Sequence, residues 1–341
     1  MDSTVVAEHA LFEVGAWLEK TGYRFVTTTP ATHARVQRRR GRLSAKSLRD
    51  IFGWSMPFQP SMLPPPVLGW LEQSDALEHT AGQLRSKVRY STLDNGLYVH
   101  SAYPTTNANA VFFGPDTYRF ASLIKQVLAV SASARPAHIV DLGCGSGAGA
   151  IVAAKTQRNA ATHCTFTDIN PAALEMARVN AALARVRGAS FRGGSLFDPV
   201  SEPIDVLLAN PPYLLDPQAR LYRHGGGELG TELSTRIVVE GLPLLTPDGT
   251  LILYTGSPIV DGIDTFWNSV ESVLREAGFG YEYWELDPDV FGEELDQPAY
   301  SQVERIAVVA LVIRKSQSMV SGGAQRHIAE DSGRSGLQKR R

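Results

Sequence analysis

Apolar positions recur along this chain at two different spacings, one of helices and one of strands. Between Val5 and Leu18 they sit at helical intervals and Gly22 supplies a stop, which predicts an N-terminal helix. A second helix is expected from Ser44 to Trp54, and a third in VLGWLEQSDAL beyond the proline-rich MPFQPSMLPPP. LRSKVRYSTLDNGLYVHSAY alternates in strand fashion around Asn95-Gly96, a dipeptide favoured in tight hairpin turns because both residues tolerate positive φ. One more helix is expected over Thr117 to Val130. From His138 onward, short apolar runs of strand length (HIVDL, HCTFTD, ASFRG, IDVLLA, TLILYT, YEYWEL, VERIAVVALVIRK) are separated by longer stretches. Those stretches hold helices in AIVAAKTQ and PAALEMARVNAALARV, from about Thr231 to Leu245, and from about Ile263 to Ala277, ending at Gly278.

Such regular alternation predicts an α/β fold, a doubly wound sheet of seven strands. It divides the chain into a smaller N-terminal accessory domain of helices and a hairpin (1–105), a catalytic domain (106–315) and a tail (316–341). The accessory domain holds no catalytic constellation, so substrate presentation is its expected task. The tail is low in large apolar residues and rich in glycine, serine and charge, the composition of a disordered segment.

Composition narrows the class. At 341 residues, 43% hydrophobic and 20% charged, the chain reads as an ordinary soluble globular protein. It has no apolar run of 18 residues or more and no signal-peptide pattern, so no membrane association is expected. Cys144 and Cys164 alone cannot build a disulfide framework or a zinc cluster; the expectation is a reducing cytoplasm and no metal. A net charge of -2 gives no global attraction to nucleic acid, so any such attraction is local. ATHARVQRRRGRLSAKSLRD carries Arg35, Arg38, Arg39, Arg40, Arg42, Lys46 and Arg49 against Asp50 alone. It reads either as a phosphate-facing patch or as a solvated helix face and loop.

The stretch IVDLGCGSGAG, from Ile139 to Gly149, runs from a strand through a glycine-rich turn into a helix start, where backbone amides and the helix dipole can face a ligand. Gly143, Gly145 and Ala148 satisfy a dinucleotide fingerprint, with Asp168 about 20 residues on for a ribose. Asp141, two residues before the first glycine, would repel a pyrophosphate. A carboxylate there suits a ligand with positive charge beside its ribose, and S-adenosylmethionine carries an ammonium and a sulfonium.

The second stretch is LLANPPY, which puts Asn210, Pro211, Pro212 and Tyr213 directly after the fourth strand. A planar NH2 nitrogen is a poor nucleophile because its lone pair is conjugated. An oxygen of Asn210 and the Pro211 carbonyl can each accept one of its N–H groups and draw it toward tetrahedral geometry. The prolines stiffen the loop, and Tyr213 can stack on a flat substrate.

D-L-G-C-G-S-G resembles the first motif of class I S-adenosylmethionine-dependent methyltransferases, and the NPPY tetrapeptide resembles that of amino-methylating members. Those members are adenine-specific nucleic-acid methyltransferases, guanine-amine ribosomal RNA methyltransferases and release-factor glutamine methyltransferases. The resemblance to the last group covers about residues 110 to 315, through TDINPAAL, GSLF, NPPY and RHGGGELG; FFGPDTY departs from the arginine-proline-glutamate segment usual there. It implies a Rossmann-like methyltransferase sheet whose last two strands are antiparallel. It also implies a donor site of Asp141, Leu142, Gly143, Cys144, Gly145, Gly147, Asp168, Ile169, Ser195, Leu196 and Asn210. Asp168 would take the ribose, with Ile169 on one adenine face and Ser195 and Leu196 on the other; many relatives have aspartate where Ser195 stands. In relatives the segment before the first strand folds over the cofactor, so Phe112, Phe113 and Thr117 are lid candidates, with hinge packing the alternative.

Tyr222, Arg223 and His224 are expected at the border of the substrate pocket or as plain surface-loop residues, and DPDVFGEELDQPAYSQ as a solvated loop. The expected activity is methyl transfer to a planar NH2-type nitrogen of a macromolecule: an RNA or DNA base amine or a protein glutamine. Rival readings are a biosynthetic small-molecule N-methyltransferase and a non-catalytic, cofactor-bound scaffold. Nucleic-acid contact, if present, falls to Arg35, Arg38, Arg39, Arg40 and Arg42.

Overall fold

A computed structural model describes residues 3–40, 44–80, 82–130, 137–157, 161–216 and 220–315. The tail from 316 and Arg42 lie outside the described residues.

The first hundred residues form helices α1 (Ser3–Lys20), α2 (Pro30–Arg40), α3 (Leu48–Phe52) and α4 (Pro65–Gln73) and hairpins β1 (Leu77–Thr80)–β2 (Gln83–Ser86) and β3 (Val88–Leu93)–β4 (Gly96–Ser101). Two expectations shift. The helix expected over Ser44–Trp54 is only α3, capped by Ser47, whose side chain accepts the Asp50 N–H, while α2 takes up the arginine-rich stretch. The β3–β4 turn lies one residue earlier than Asn95-Gly96: Leu93 pairs with Gly96, and Asp94, at φ 52°, supplies the positive φ.

Helix α5 (Pro115–Val130) leads into the sheet strands β5 (His138–Leu142), β6 (His163–Asp168), β7 (Ala189–Gly193), β8 (Ile204–Ala209), β9 (Leu245–Val260), β10 (Ile263–Asp264), β11 (Gly280–Asp287) and β12 (Arg305–Arg314). Between them come α6 (Ala148–Gln157), α7 (Pro171–Leu183), α8 (Glu232–Gly241) and α9 (Thr265–Ala277). The strand order is β11-β12-β9-β8-β5-β6-β7, with β10 paired beside β9. The five strands from β9 to β7 are mutually parallel, and β12 and β11 are antiparallel, as expected for the final pair. Central strands such as β12 are buried almost end to end, which is why they read as unbroken apolar runs. One face packs on α5, α6 and α7 through Phe120, Ile124, Ile151 and Ala177. The other packs on α8 and α9 through Ile237, Val238, Phe266 and Val270.

The N-terminal helices build a separate cluster around Val14, Leu18, Phe52, Leu71 and Tyr90, which runs on into Val179 and Leu183 of α7. Gly15 is needed at this seam, since a Cβ there would lie 2.7 Å from a Leu183 methyl. Fully buried Asn180 of α7 accepts the Val99 N–H (2.7 Å) and donates to the carbonyls of Val99 (2.9 Å) and Ser146 (2.8 Å). One side chain thus ties the hairpin to the glycine turn. No helix among the described residues is long and apolar enough to cross a membrane.

Candidate active site

Parallel register sets the site. Leu142 pairs with Ala209, so the glycine turn after β5 and the NPPY segment after β8 leave neighbouring strand tips on the same edge. Both line one cavity of about 370 Å³.

On the β5 side, Gly143, Gly145 and Gly147 take φ of 65°, 52° and 76°, a region that side-chain-bearing residues rarely adopt. Asp141 is 2% exposed and accepts the Ala150 N–H at 2.8 Å, so its carboxylate caps the first turn of α6. A Cβ on Gly149 would come 2.7 Å from that carboxylate, which explains the fourth glycine of the turn. Burial pushes the Asp141 pKa up to about 7, against the Ala150 hydrogen bond, and Asp168 adds to the rise. Asp168 accepts N–H groups from Gly145 (2.9 Å) and Asn170 (2.8 Å), which aims it across the turn; burial still raises its pKa. Ile169 is a large apolar side chain left 58% exposed at the cavity edge, and Ser195 and Leu196 line the same wall. Leu142, Cys144 and Gly145 line the cavity, whereas Gly147 faces α7: its Cβ would touch Ala177 and Phe166 at 3.1 Å.

On the β8 side, Asn210, Pro211, Pro212 and Tyr213 all reach the cavity. The Asn210 side chain is half-buried and makes no hydrogen bond among the described residues. Tyr213 is only 6% exposed, its ring seated so tightly on Gly256 that a Cβ there would lie 2.3 Å away. Its hydroxyl is buried without a hydrogen-bond partner; burial, with Asp116 close by, holds it protonated.

The segment from 220 to 230 folds back over this tetrapeptide. Gly225 donates to the Leu214 carbonyl (2.8 Å), and Leu214 donates to the Arg223 carbonyl (3.2 Å). A Cβ on Gly225 would fall 2.0 Å from the Gly230 carbonyl and 2.7 Å from that of Pro212. Tyr222 stacks on Phe112 (centroids 5.8 Å apart, 8° between planes) and donates to the Thr105 carbonyl (2.8 Å). Tyr222, Arg223 and His224 line the cavity.

The lid candidates separate. Phe112 and Thr117 line the cavity, but Phe113 is fully buried and stacks on His100 (5.0 Å), which is hinge packing. The stretch from Asp287 to Gln302 is not a solvated loop: Tyr300 is buried and its hydroxyl accepts the Leu215 N–H at 2.7 Å, Glu294 is buried against Arg223, and Phe291 lines the cavity. Its acidic composition hid these inward residues. Asp116 and Pro30 also line the cavity, and no motif distinguished either from an ordinary helix start.

The basic patch lies on and beyond α2. Arg35, Arg38 and Arg39 are exposed and form no ion pair among the described residues, while Arg40 is paired with Asp50 and sits 5.3 Å over the Trp54 ring. Pro30, at the start of α2, places this helix at the cavity wall.

Comparison with known proteins agrees with this geometry. Residues 121–280 match the methyltransferase small domain family. The chain is 33% identical over 169 residues to a release factor glutamine methyltransferase of Deinococcus radiodurans, covering 46% of this chain and 55% of that one. A release factor glutamine methyltransferase of Chlamydia trachomatis is 35% identical over 133 residues, 34% of this chain and 43% of that one. The chain thus spans about half the length of these two curated relatives. A putative protein N5-glutamine methyltransferase of Methanocaldococcus jannaschii is 30% identical over 150 residues, 42% of this chain and 71% of that protein. A mostly parallel sheet with its glycine turn and NPPY segment on adjoining strand tips, and these relatives, lead to one assignment: the chain belongs to the S-adenosylmethionine-dependent methyltransferases, with the methyltransferase small domain at residues 121–280.

Proposed function

We propose that this protein transfers a methyl group from S-adenosylmethionine to a planar NH2-type nitrogen of a macromolecule. The observation that carries the reading is the shared cavity: Asp168 and Asn210 open into one space from strands separated only by β5. The residues present fit the donor. Asp168, already aimed by two backbone N–H groups, keeps lone pairs for the ribose hydroxyls, and exposed Ile169 offers an apolar shelf to the adenine opposite Ser195 and Leu196. When bound, the donor supplies a methyl carbon activated by its sulfonium. Asn210, whose side-chain oxygen is uncommitted, and the Pro211 carbonyl accept the two N–H groups of the acceptor, and the buried walls keep water away from it. Tyr213, buried but lining the cavity, borders the acceptor side.

Two acceptor classes have support. The names of the curated relatives favour a protein glutamine. Exposed Arg35, Arg38 and Arg39 on a helix that begins at the cavity wall favour a nucleic-acid base amine, with residues 1–105 holding the phosphates. Cys144 and Cys164 are both free and buried, which suits the reducing cytoplasm we assign to the protein.

The deciding experiment incubates the protein with methyl-labelled donor and fractionated lysate. Label in RNA, DNA or protein supports the reading; label in small metabolites alone, or none above an Asn210→Ala control, overturns it. Salt-sensitive labelling of nucleic acid that is lost in an Arg35→Ala, Arg38→Ala, Arg39→Ala triple variant selects the base amine.

A further inference from the structure

Among the described residues, three carboxylates line the cavity: Asp116, Asp141 and Asp168. Asp168 belongs to the ribose on the reading above. Asp141, the residue the sequence nominated for the donor's positive charge, is committed to the first turn of α6 through Ala150 and pressed against Gly149.

Asp116 stands differently. Its Oδ1 accepts from the Tyr254 hydroxyl (2.9 Å) and from Arg119 (3.3 Å). Arg119 does not neutralise it alone, because the same guanidinium donates to Asp287 at 2.8 Å. Two carboxylates therefore share one cation, and Asp116, only 7% exposed, sits in a wall where burial raises its pKa and a cation would relieve it. The buried Tyr213 hydroxyl lies against the same carboxylate. Desolvation of this kind penalises a bare carboxylate and is relieved by a cation.

Position agrees with charge. Asp168 ends β6, and Asp116 is bonded to Tyr254 of β9, three places along the sheet through β5 and β8. That separation is roughly 14 Å at the usual strand spacing. A ligand lying across the strand tips with its ribose at Asp168 thus points its far end toward Asp116.

We propose that Asp116, in the first turn of α5, is the carboxylate that receives the cationic amino-acid end of the donor, while Asp141 holds the glycine turn in shape. The proposal rests on the donor assignment and extends it to a residue outside the two motifs.

The test is a set of dissociation constants for three probes: S-adenosylmethionine, S-adenosylhomocysteine, which keeps the ammonium but lacks the sulfonium, and 5′-methylthioadenosine, which lacks both. In Asp116→Asn the methionine-bearing probes should weaken roughly tenfold or more, the scale of a lost charge-assisted hydrogen bond, with methylthioadenosine within about twofold. Loss for both charged probes identifies the ammonium as the partner, and loss for S-adenosylmethionine alone identifies the sulfonium. Equal weakening of all three, or none, overturns the proposal. Tyr254→Phe, which keeps the Asp116 carboxylate but removes the hydroxyl that steers it and Arg119, should give the same selectivity at a few-fold level, so the question survives poor folding of the first variant. In Asp141→Asn all three probes should change together; selective loss there returns the role to Asp141. A wild-type protein that binds none of the probes would refute the donor assignment itself.

Discussion

The two sides of the cavity are built on different principles. On the donor side, the turn from Gly143 to Gly149 is held by contacts within one strand-turn-helix unit and its neighbouring strand: Ala150 to Asp141, Gly145 to Asp168, Cys144 to the Thr167 carbonyl. On the acceptor side, the NPPY segment is held from far along the chain: Tyr213 by Gly256, Leu215 by Tyr300, Tyr222 by Phe112 and Thr105. The donor side is thus mostly a local device, joined to the rest of the fold through Asn180 of α7 at the Ser146 carbonyl. The acceptor side exists only once the whole fold has closed. Chemistry common to a family can sit on the first, and selection among substrates on the second.

Breaking each side should therefore leave different marks. The largest effect is expected from Asn210→Ala: transfer falls by roughly 100-fold or more, the scale for deleting one preorganised polar group at a reaction centre, while the donor's dissociation constant stays within a few-fold. Equal loss of binding and rate would make Asn210 structural and erase the division between the sides.

Next comes a pH effect confined to the donor side. With the Asp141 pKa lifted to about 7 in the folded chain, against the usual carboxylate value near 4 when unfolded, the folded state binds the extra proton between those limits. That stability is present at pH 4 and lost as pH rises through 7. The ligand-free protein should lose a few kcal/mol across the window, and Asp141→Asn should flatten that part of the profile in chemical-denaturation measurements. An unchanged slope would show that Asp141 is ionised in the folded protein.

Asp168→Ala should weaken donor binding by roughly 1–3 kcal/mol, the cost of unpaired polar groups, at unchanged acceptor KM. Titration calorimetry measures the first and steady-state kinetics the second; an unaltered donor affinity would remove Asp168 from the ribose. The smallest effect is expected at the edge of the acceptor side. Tyr222→Phe keeps the stacking on Phe112 but removes the bond to Thr105, worth about 0.5–1.5 kcal/mol, and should raise acceptor KM several-fold with donor affinity unaltered. A change in donor affinity there would mean that the two sides are coupled.

This asymmetry also governs what could be read before folding. The strand HCTFTD is β6 residue for residue, because a run of that length between turn signals has few alternatives. The Gly143–Gly147 turn was legible because positive φ writes glycine into the sequence. Helix α2 was not, since three of its last residues are arginines and its single buried side chain, His33, leaves no apolar stripe. Phe291 and Glu294 were hidden for the opposite reason: an acidic stretch looks solvated until Arg223 arrives to pair with it.

Local pattern alone determined the main alternation of strands and helices from β5 onward, the glycine turn and the carboxylate at the tip of β6, because each follows from backbone sterics and periodicity within about 30 residues. Tertiary structure decided which carboxylate is spent on α6 and which shares Arg119 with Asp287, where the Tyr213 ring rests, and that a helix bearing unpaired arginines starts at the cavity wall. Those outcomes depend on burial and on how separate elements meet, as between Asp116 and Tyr254, which are 138 residues apart, and no spacing along a single chain encodes them.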